Sequence, residues 1–296
     1  MPTPLVDYLK VQKATDQAIL KELQKASTSI ETELRKLQYK TGIGAAVRRE
    51  QLIATQAAIT REMSKLWLQI GNIVKAQKAE AAAIAAEGSI RESSVLASMF
   101  SKADLDYMGR SVAATASNGL AALERRLEGT SYVPLAESVY GNTNLASGKI
   151  DDIINSALAR GASASELAKD VRDYINPNTP GGARYASMRL GRTEINNSFH
   201  ASQIKQAQES PWVVGVLWNL SGSHPKPDAC NDYADDTHYN GGDAGVFLPS
   251  EVPAKPHPNC LCYTTMVDEG VDKFVRDFNS GRFDDYLQTN FPDLEF

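Results

Sequence analysis

The sequence predicts a mainly α-helical protein with a long N-terminal helical hairpin and a small α+β C-terminal module, its two to three short strands stapled by a Cys/His cluster. Three observations predict this. Apolar residues recur at helical spacing through most of the first two thirds of the chain. Residues 219–262 are dense in Pro, Gly, Asp, Asn and His and poor in aliphatic side chains. All three cysteines fall inside that polar stretch. At 296 residues, 42% of them hydrophobic, the chain is long enough to bury real cores elsewhere.

Residues 5–40 contain no Gly or Pro, and Leu20, Leu23, Ser27, Ile30, Leu34 and Leu37 alternate spacings of three and four, the pattern of a heptad seam. "TGIG", residues 41–44, interrupts it. Leu52, Ile59, Leu66 and Ile73 then recur every seven residues, flanked by Met63, Trp67, Ile70 and Val74. Two periodic helices around a Gly turn read as an antiparallel hairpin over 1–88. Two helices alone leave much of each apolar stripe uncovered, so the hairpin needs a partner, either the rest of the chain or another protein, with another protein favoured.

A helical connector is expected over 89–178. One helix opens at a capping Ser101 and runs toward Gly129, another carries Ile150, Ile153, Ile154, Ala157 and Leu158 and stops at Gly161, and a third starts at the capping-box pair Ser163 and Glu166. "NPNTPGG" is the clearest linker. The module spans 179–267, with one helix over 183–209, a buried strand at "WVVGVLW" and a second at "CYTTMV". An acidic helical tail, 268–296, closes the chain.

Forty-odd polar residues inside a compact module need something other than an apolar core to hold them. The stretch supplies His224, Asp228, Cys230, His238, His257, Cys260 and Cys262. Thiolates and imidazoles suit zinc, whose coordination energy can stand in for a missing core. The preferred ligands are Cys230, His257, Cys260 and Cys262, with His224 in reserve. Two other readings stay open: the cysteines are small buried residues in a hydrogen-bonded loop, or Cys230 and Cys260 form a disulfide. His200 and His238 are assigned ordinary core or surface roles. In "GRTE", Arg192 and Glu194 point about 200° apart on a helix, so they reach different partners. Glu194 is placed to orient a cluster histidine, Arg192 to hold Asp228 or a loop carbonyl.

Several function classes are excluded. The zinc deaminase pattern fails, since no Glu stands two residues after any of the four histidines and the cysteines read C-x-C. G-x-S-x-G, P-loop and G-x-G-x-x-G motifs are missing. The net charge of −5 hides a gradient: residues 1–100 carry 14 Lys+Arg against 10 Asp+Glu, while 219–262 carry 2 against 6 and 263–296 carry 3 against 8. A basic run interleaved with aromatics, the usual footprint of nucleic-acid binding, is not seen. No stretch approaches the roughly 18 apolar residues of a membrane span, and "MPTPLVDYLK" lacks a secretion signal's basic start and apolar run, so synthesis in a cytosol is expected.

Arg-Thr-Glu on a helix, a Trp-bearing strand, "SGSHPKPDAC", "GVFLP" and "PHPNCLC", in that order and preceded by "GASASELAKDVRDYI", resemble the Mu-F-like minor head (head morphogenesis) proteins of tailed bacteriophages over about residues 150–267. The resemblance implies a virion protein, made in the host cytoplasm and placed in the phage head interior or at the portal vertex. It implies docking on the portal protein, the major capsid protein or a scaffolding protein, in several copies per particle, with a role in head assembly, DNA packaging or early DNA ejection. The family's marked residues fall on Arg192, Thr193, Glu194, Trp218, His224, Asp228, Cys230, His257, Pro258, Cys260 and Cys262. Many members have Arg or Lys where this chain has Leu261, which speaks against a catalytic or nucleic-acid role for that slot and leaves its folding role intact. A structural, non-enzymatic protein is therefore expected. The alternatives are a metal-dependent hydrolase or toxin-like module, since Mu-F-like domains also occur fused to toxins, and a DNA-contacting protein working through its basic front.

Overall fold

A computed structural model describes residues 4–36, 45–119, 135–160, 164–176, 182–222, 224, 227–237 and 243–294. The expectations for Leu37, the "TGIG" turn, Gly129, Gly161, Ser163, most of "NPNTPGG" and His238 lie outside these residues. The described chain is mostly helical: α1 (Pro4–Lys36), α2 (Ala45–Arg91), α3 (Ser94–Met99), α4 (Lys102–Asn118), α5 (Leu135–Ala159), α6 (Ala164–Ile175) and α7 (Gly182–Glu209) come first. Then follow β1 (Val213–Asn219), α8 (Ala229–Asp235), β2 (Val246–Phe247), β3 (Tyr263–Asp268), α9 (Val271–Asn279) and α10 (Asp284–Asn290).

Packing divides the chain into two compact units, each drawn from separated stretches. One comprises Met1–Gln12, Ala76–Tyr132 and Arg192–Phe296, the other Lys13–Lys75 and Val133–Gly191. In the first unit Pro4 of α1 lies against Gly88 of α2, and in the second Ser29 of α1 donates to the Glu62 carboxylate of α2 at 2.7 Å.

In the second unit the seam buries Ile19, Leu23, Ala26 and Ile30 against Ile59, Met63, Leu66, Trp67, Ile70 and Val74. The stripe that two helices would leave open is covered by the chain itself, through Ile150 and Ile154 of α5, Leu167 and Val171 of α6, and Ala183 and Leu190 at the start of α7. The sequence reading favoured another protein as the hairpin's partner; in this unit the stripe is instead covered by the connector helices and the start of α7.

In the first unit, Ser101 caps α4, as the sequence predicts, through a reciprocal capping box with Asp104, and the helix stops at Asn118, capped by Gly119, short of the Gly129 expected. The predicted strands form β1 and β3, and β2 completes an antiparallel sheet of order β2-β1-β3. β2 enters through Gly245, whose φ of +73° and close approach to the Ala234 carbonyl only glycine tolerates. The segment expected as an acidic tail is helical and packs into a core. Phe274, Phe283, Leu287 and Phe291 bury their side chains with Trp212, Leu96 and Met108.

The rest of α7 is the unit's polar spine. Ile195 and Phe199 pack with Ala81 and Ala85 of α2. Beside them Glu194 is ion-paired with Lys78 at 2.6 Å, both almost fully buried. The Ser198 and Ser202 hydroxyls donate to the carbonyls of Lys78 and Ala82 at 2.9 and 2.7 Å. The spacing 194-198-202 places all three groups on one face, where they satisfy buried α2 atoms that apolar side chains would strand. No helix of the described residues is long and apolar enough to cross a membrane.

Removing one partner of a buried ion pair strands the other charge. Lys78→Met is therefore expected to lower stability by about 3–5 kcal/mol in chemical denaturation, and Lys78→Met with Glu194→Leu to recover most of that loss. An unchanged midpoint for Lys78→Met would show that the pair does not hold α2 to α7.

Candidate metal centre

Between β1 and β3 the chain is held by α7 as much as by its own sheet. A second face of that helix presents Thr193, Asn196, His200 and Gln203, at spacings of three, four and three. Thr193 Oγ1 accepts from the Asn259 N–H at 3.1 Å, and the Asn196 amide donates to the buried Cys260 carbonyl. His200 Nε2–H donates to Pro253 O at 2.9 Å, and Gln203 donates to Thr264 O and accepts from its hydroxyl. Asn259 takes a φ of 59°, a left-handed conformation that Asn tolerates better than most residues, and so turns Cys260 inward.

Cys230 arrives from the other side on α8. Asp228 caps this short helix by accepting the Cys230 N–H at 2.8 Å, and Asn231 returns a bond to the Asp228 N–H. Cys260 and Cys262 alternate on the extended chain that leads into β3. The three thiols are free, and their residues are 0–2% exposed. Cys230 Sγ lies 3.5 Å from Cys260 Sγ, too far for a disulfide, so the structure corrects the disulfide reading. With Trp218 and Phe247 the cysteines also form a small core of their own, with Tyr233, Ala234 and Val252 at its edge.

Two histidines flank the sulfurs. His257 Nε2 is 3.5 Å from Cys230 Sγ and 3.1 Å from Asp228 Oδ2, and its Nδ1 lies 3.1 Å from Pro258 O. Nε2 faces both the Asp228 carboxylate and Cys230 Sγ, so its lone pair is available to a metal only in the tautomer that carries the proton on Nδ1, toward Pro258 O. His224 Nε2 is 2.8 Å from Asn231 Oδ1, and its Nδ1 is 3.8 Å from Cys262 Sγ. The ligand atoms form two overlapping triads, Cys230–Cys260–Cys262 and Asp228–Cys230–His257. Cys230, Cys260, Cys262 and His257 thus form a group able to hold a metal ion, with His224 beside it.

Burial and the neighbouring Cys260 push the Cys230 thiol up, and burial also raises Cys260. The Cys230 N–H, and then the two histidines, hold Asp228 below the usual carboxylate range. Burial, with Lys255 nearby, brings His200 down to about 3, so it is a neutral packing group set edge-on against Trp218. Protonated thiols at neutral pH are poor nucleophiles but become metal ligands once a cation displaces their protons.

Of the other residues singled out in the sequence, Trp218 is buried in the thiol core, and Glu194 finds its buried partner in Lys78 of α2. Arg192 is half-buried at the first position of α7 that belongs to this unit. Sequence reasoning missed Asn196, Gln203 and Lys255. The first two carried a readable signal, a polar stripe at helical spacing on a helix with an apolar face. Lys255 carried none, as a lone cation between prolines. It is 8% exposed, and its ammonium donates to Cys262 O and sits 4.8 Å from the Trp218 ring centroid. Burial lowers its pKa to about 8 against the opposing pull of the three cysteines.

No family model, curated protein or solved structure matches the chain.

Thiols this buried should resist a bulky aromatic disulfide reagent in the native protein. Fewer than one per chain is expected to react quickly, and all three after unfolding. Asn196→Ala, which strands a buried carbonyl, is expected to cost about 1–3 kcal/mol and to speed that reaction.

Proposed function

We propose that this chain is a structural minor capsid protein of a tailed bacteriophage, acting in head morphogenesis on the portal or the inner capsid, with a C-terminal module stapled by zinc. The observation that carries the reading is convergence. Thr193, Trp218, His224, Asp228, Cys230, His257, Cys260 and Cys262, the motif residues that resemble the Mu-F-like family in their order along the sequence, also meet around one buried group of sulfurs. A group whose reactive atoms face inward is built to hold the chain, and this supports a gripping rather than a turnover role.

Zinc suits the donor types, and the separations from Cys230 match its geometry, while His257 has to move toward Cys260 and Cys262 to complete the set, because the four donors fall into two triads. Bond lengths of about 2.3 Å to sulfur and about 2.0–2.1 Å to nitrogen make tetrahedral edges of about 3.8 Å between sulfurs and about 3.5 Å between sulfur and nitrogen. The separations are 3.5 Å for Cys230–Cys260 and 3.5 Å for Cys230–His257. Cys230, Cys260 and Cys262 would supply thiolates and His257 the neutral imidazole, with Pro258 O fixing the ring. When bound, the ion supplies coordination energy where apolar side chains are few.

The hydrolase alternative has one observation in its favour, the half-buried Asp228–His257 pair at 3.1 Å, which resembles a base and its orienting carboxylate. A DNA-contacting role gains nothing from the module, where Asp232, Asp235, Asp243 and Glu251 are exposed and repel phosphate.

Particles purified from producing cells are expected to contain this chain in several copies, and full-length protein is expected to co-purify with the portal protein. Its absence from particles overturns the proposal, and His257-dependent hydrolysis by the metal-loaded protein would favour the enzyme. Elemental analysis is expected to find about one zinc per chain, lost in Cys230→Ser, with a lower melting temperature for the variant. A metal-free wild type that melts no lower than protein offered zinc would refute the staple.

A further inference from the structure

The two compact units carry opposite charge. The second, Lys13–Lys75 with Val133–Gly191, holds 17 Lys+Arg against 12 Asp+Glu, and the first holds 14 against 24. Such an imbalance attracts a partner where it is concentrated on a surface, and each unit concentrates it in one place.

On the second unit that place is α2. Its exposed positions 53, 57, 61, 64, 68, 72 and 75 recur at spacings of three and four, so they form one stripe about 33 Å long. Arg61, Lys65 and Lys75 are exposed on it or beside it, and so are Ile53 and Leu68, at 58% and 61%. The one acid in that span, Glu62, is buried and held by Ser29 and Lys65.

On the first unit the charge collects around α8 and β2. From position 227 to 254 the sequence has no Lys or Arg. Asp232, Asp235, Asp243 and Glu251 are exposed there, and Leu248, between the last two in sequence, is 41% exposed. The segment is compact: the Gly245 N–H donates to Asp236 O at 2.8 Å, which seats the entry to β2 on the end of α8, and the Glu251 N–H closes a turn on Leu248 O at 2.9 Å.

The two surfaces match in kind. Each sets exposed aliphatic side chains among charges of one sign, and the signs are opposite. A phosphate backbone would satisfy the cations of the stripe but leave Ile53 and Leu68 in water, whereas an acidic protein surface with an apolar residue in it answers both. Another copy of this chain carries that surface. We propose that copies associate head to tail, the α2 stripe of one on the α8–β2 face of the next. Such a contact is heterologous, so each added copy presents a fresh face of each kind and the series closes into a ring or continues. The inference goes beyond the metal and particle readings and needs neither.

Sedimentation equilibrium of the full-length protein tests it. In low salt the average mass is expected to rise with concentration. The association constant is expected to fall about tenfold or more as salt goes from about 0.05 to about 0.5 M, because exposed charges are then screened. Two neutral variants separate the faces: Arg61→Gln with Leu68→Ser and Lys75→Gln removes the stripe, and Asp235→Asn with Leu248→Ser and Glu251→Gln removes its complement. Each alone is expected to sediment as a monomer. An equimolar mixture is expected to form one-to-one dimers and nothing larger, since only one of the two possible contacts survives. All six positions are exposed, so melting followed by circular dichroism is expected to stay close to wild type. A wild type that stays monomeric in low salt overturns the proposal, and so does association that salt leaves unchanged. A mixture that stays monomeric or grows past dimers overturns it too. A monomeric wild type that retains duplex DNA through Arg61 and Lys75 overturns it in favour of nucleic acid. Should a variant fail to fold, the mass and salt series of the wild type decide.

Discussion

The C-terminal module depends on one constraint: a loop with few apolar side chains must have its buried main-chain groups satisfied from outside. α7 does this. Thr193, Asn196, His200 and Gln203 each take a backbone group of the chain leading into β3, and the opposite polar face, Glu194, Ser198 and Ser202, takes a lysine and two carbonyls of α2. A helix in such a place would ordinarily be apolar nearly all round. This one is threaded with short polar side chains because its neighbours present backbone rather than hydrocarbon. The sulfur cluster is the second fastening, and it closes only because Asn259 and the Asp228 cap deliver cysteines from two directions to one point.

Much of the fold was legible because periodicity is a local signal. The hairpin stripe, the Ser101 cap, α7, β1 and β3 all follow from spacing, and they appear within a few residues of where the sequence puts them. α8 and β2 were not legible, since a seven-residue helix and a two-residue strand inside a polar run are fixed by tertiary contacts and one glycine. The aromatic burial of the last helices was hidden too, because their acidic composition masks an apolar face carried by only a few phenylalanines.

The candidate site divides in the same way. Cysteine and histidine count and position named the donor atoms, and the polarity of the stretch indicated that it needed fastening. What the sequence could not supply was pairing across distance. Glu194 looked free to serve a histidine until a lysine more than a hundred positions earlier came beside it, and nothing in the sequence set Lys255 apart until folding placed it over Trp218. Long-range electrostatics has no periodicity to read.

The two-sided grip on the described parts of this chain, residues 227–237 and 253–264, makes them a cooperative segment in their own right. Its fastenings are few and mutually dependent, whereas the helices around it rest on many interchangeable apolar contacts. Hydrogen exchange would accordingly find its amides opening together, at a free energy below that of the helical cores: a region that lets go as one piece while the scaffold behind it stays standing.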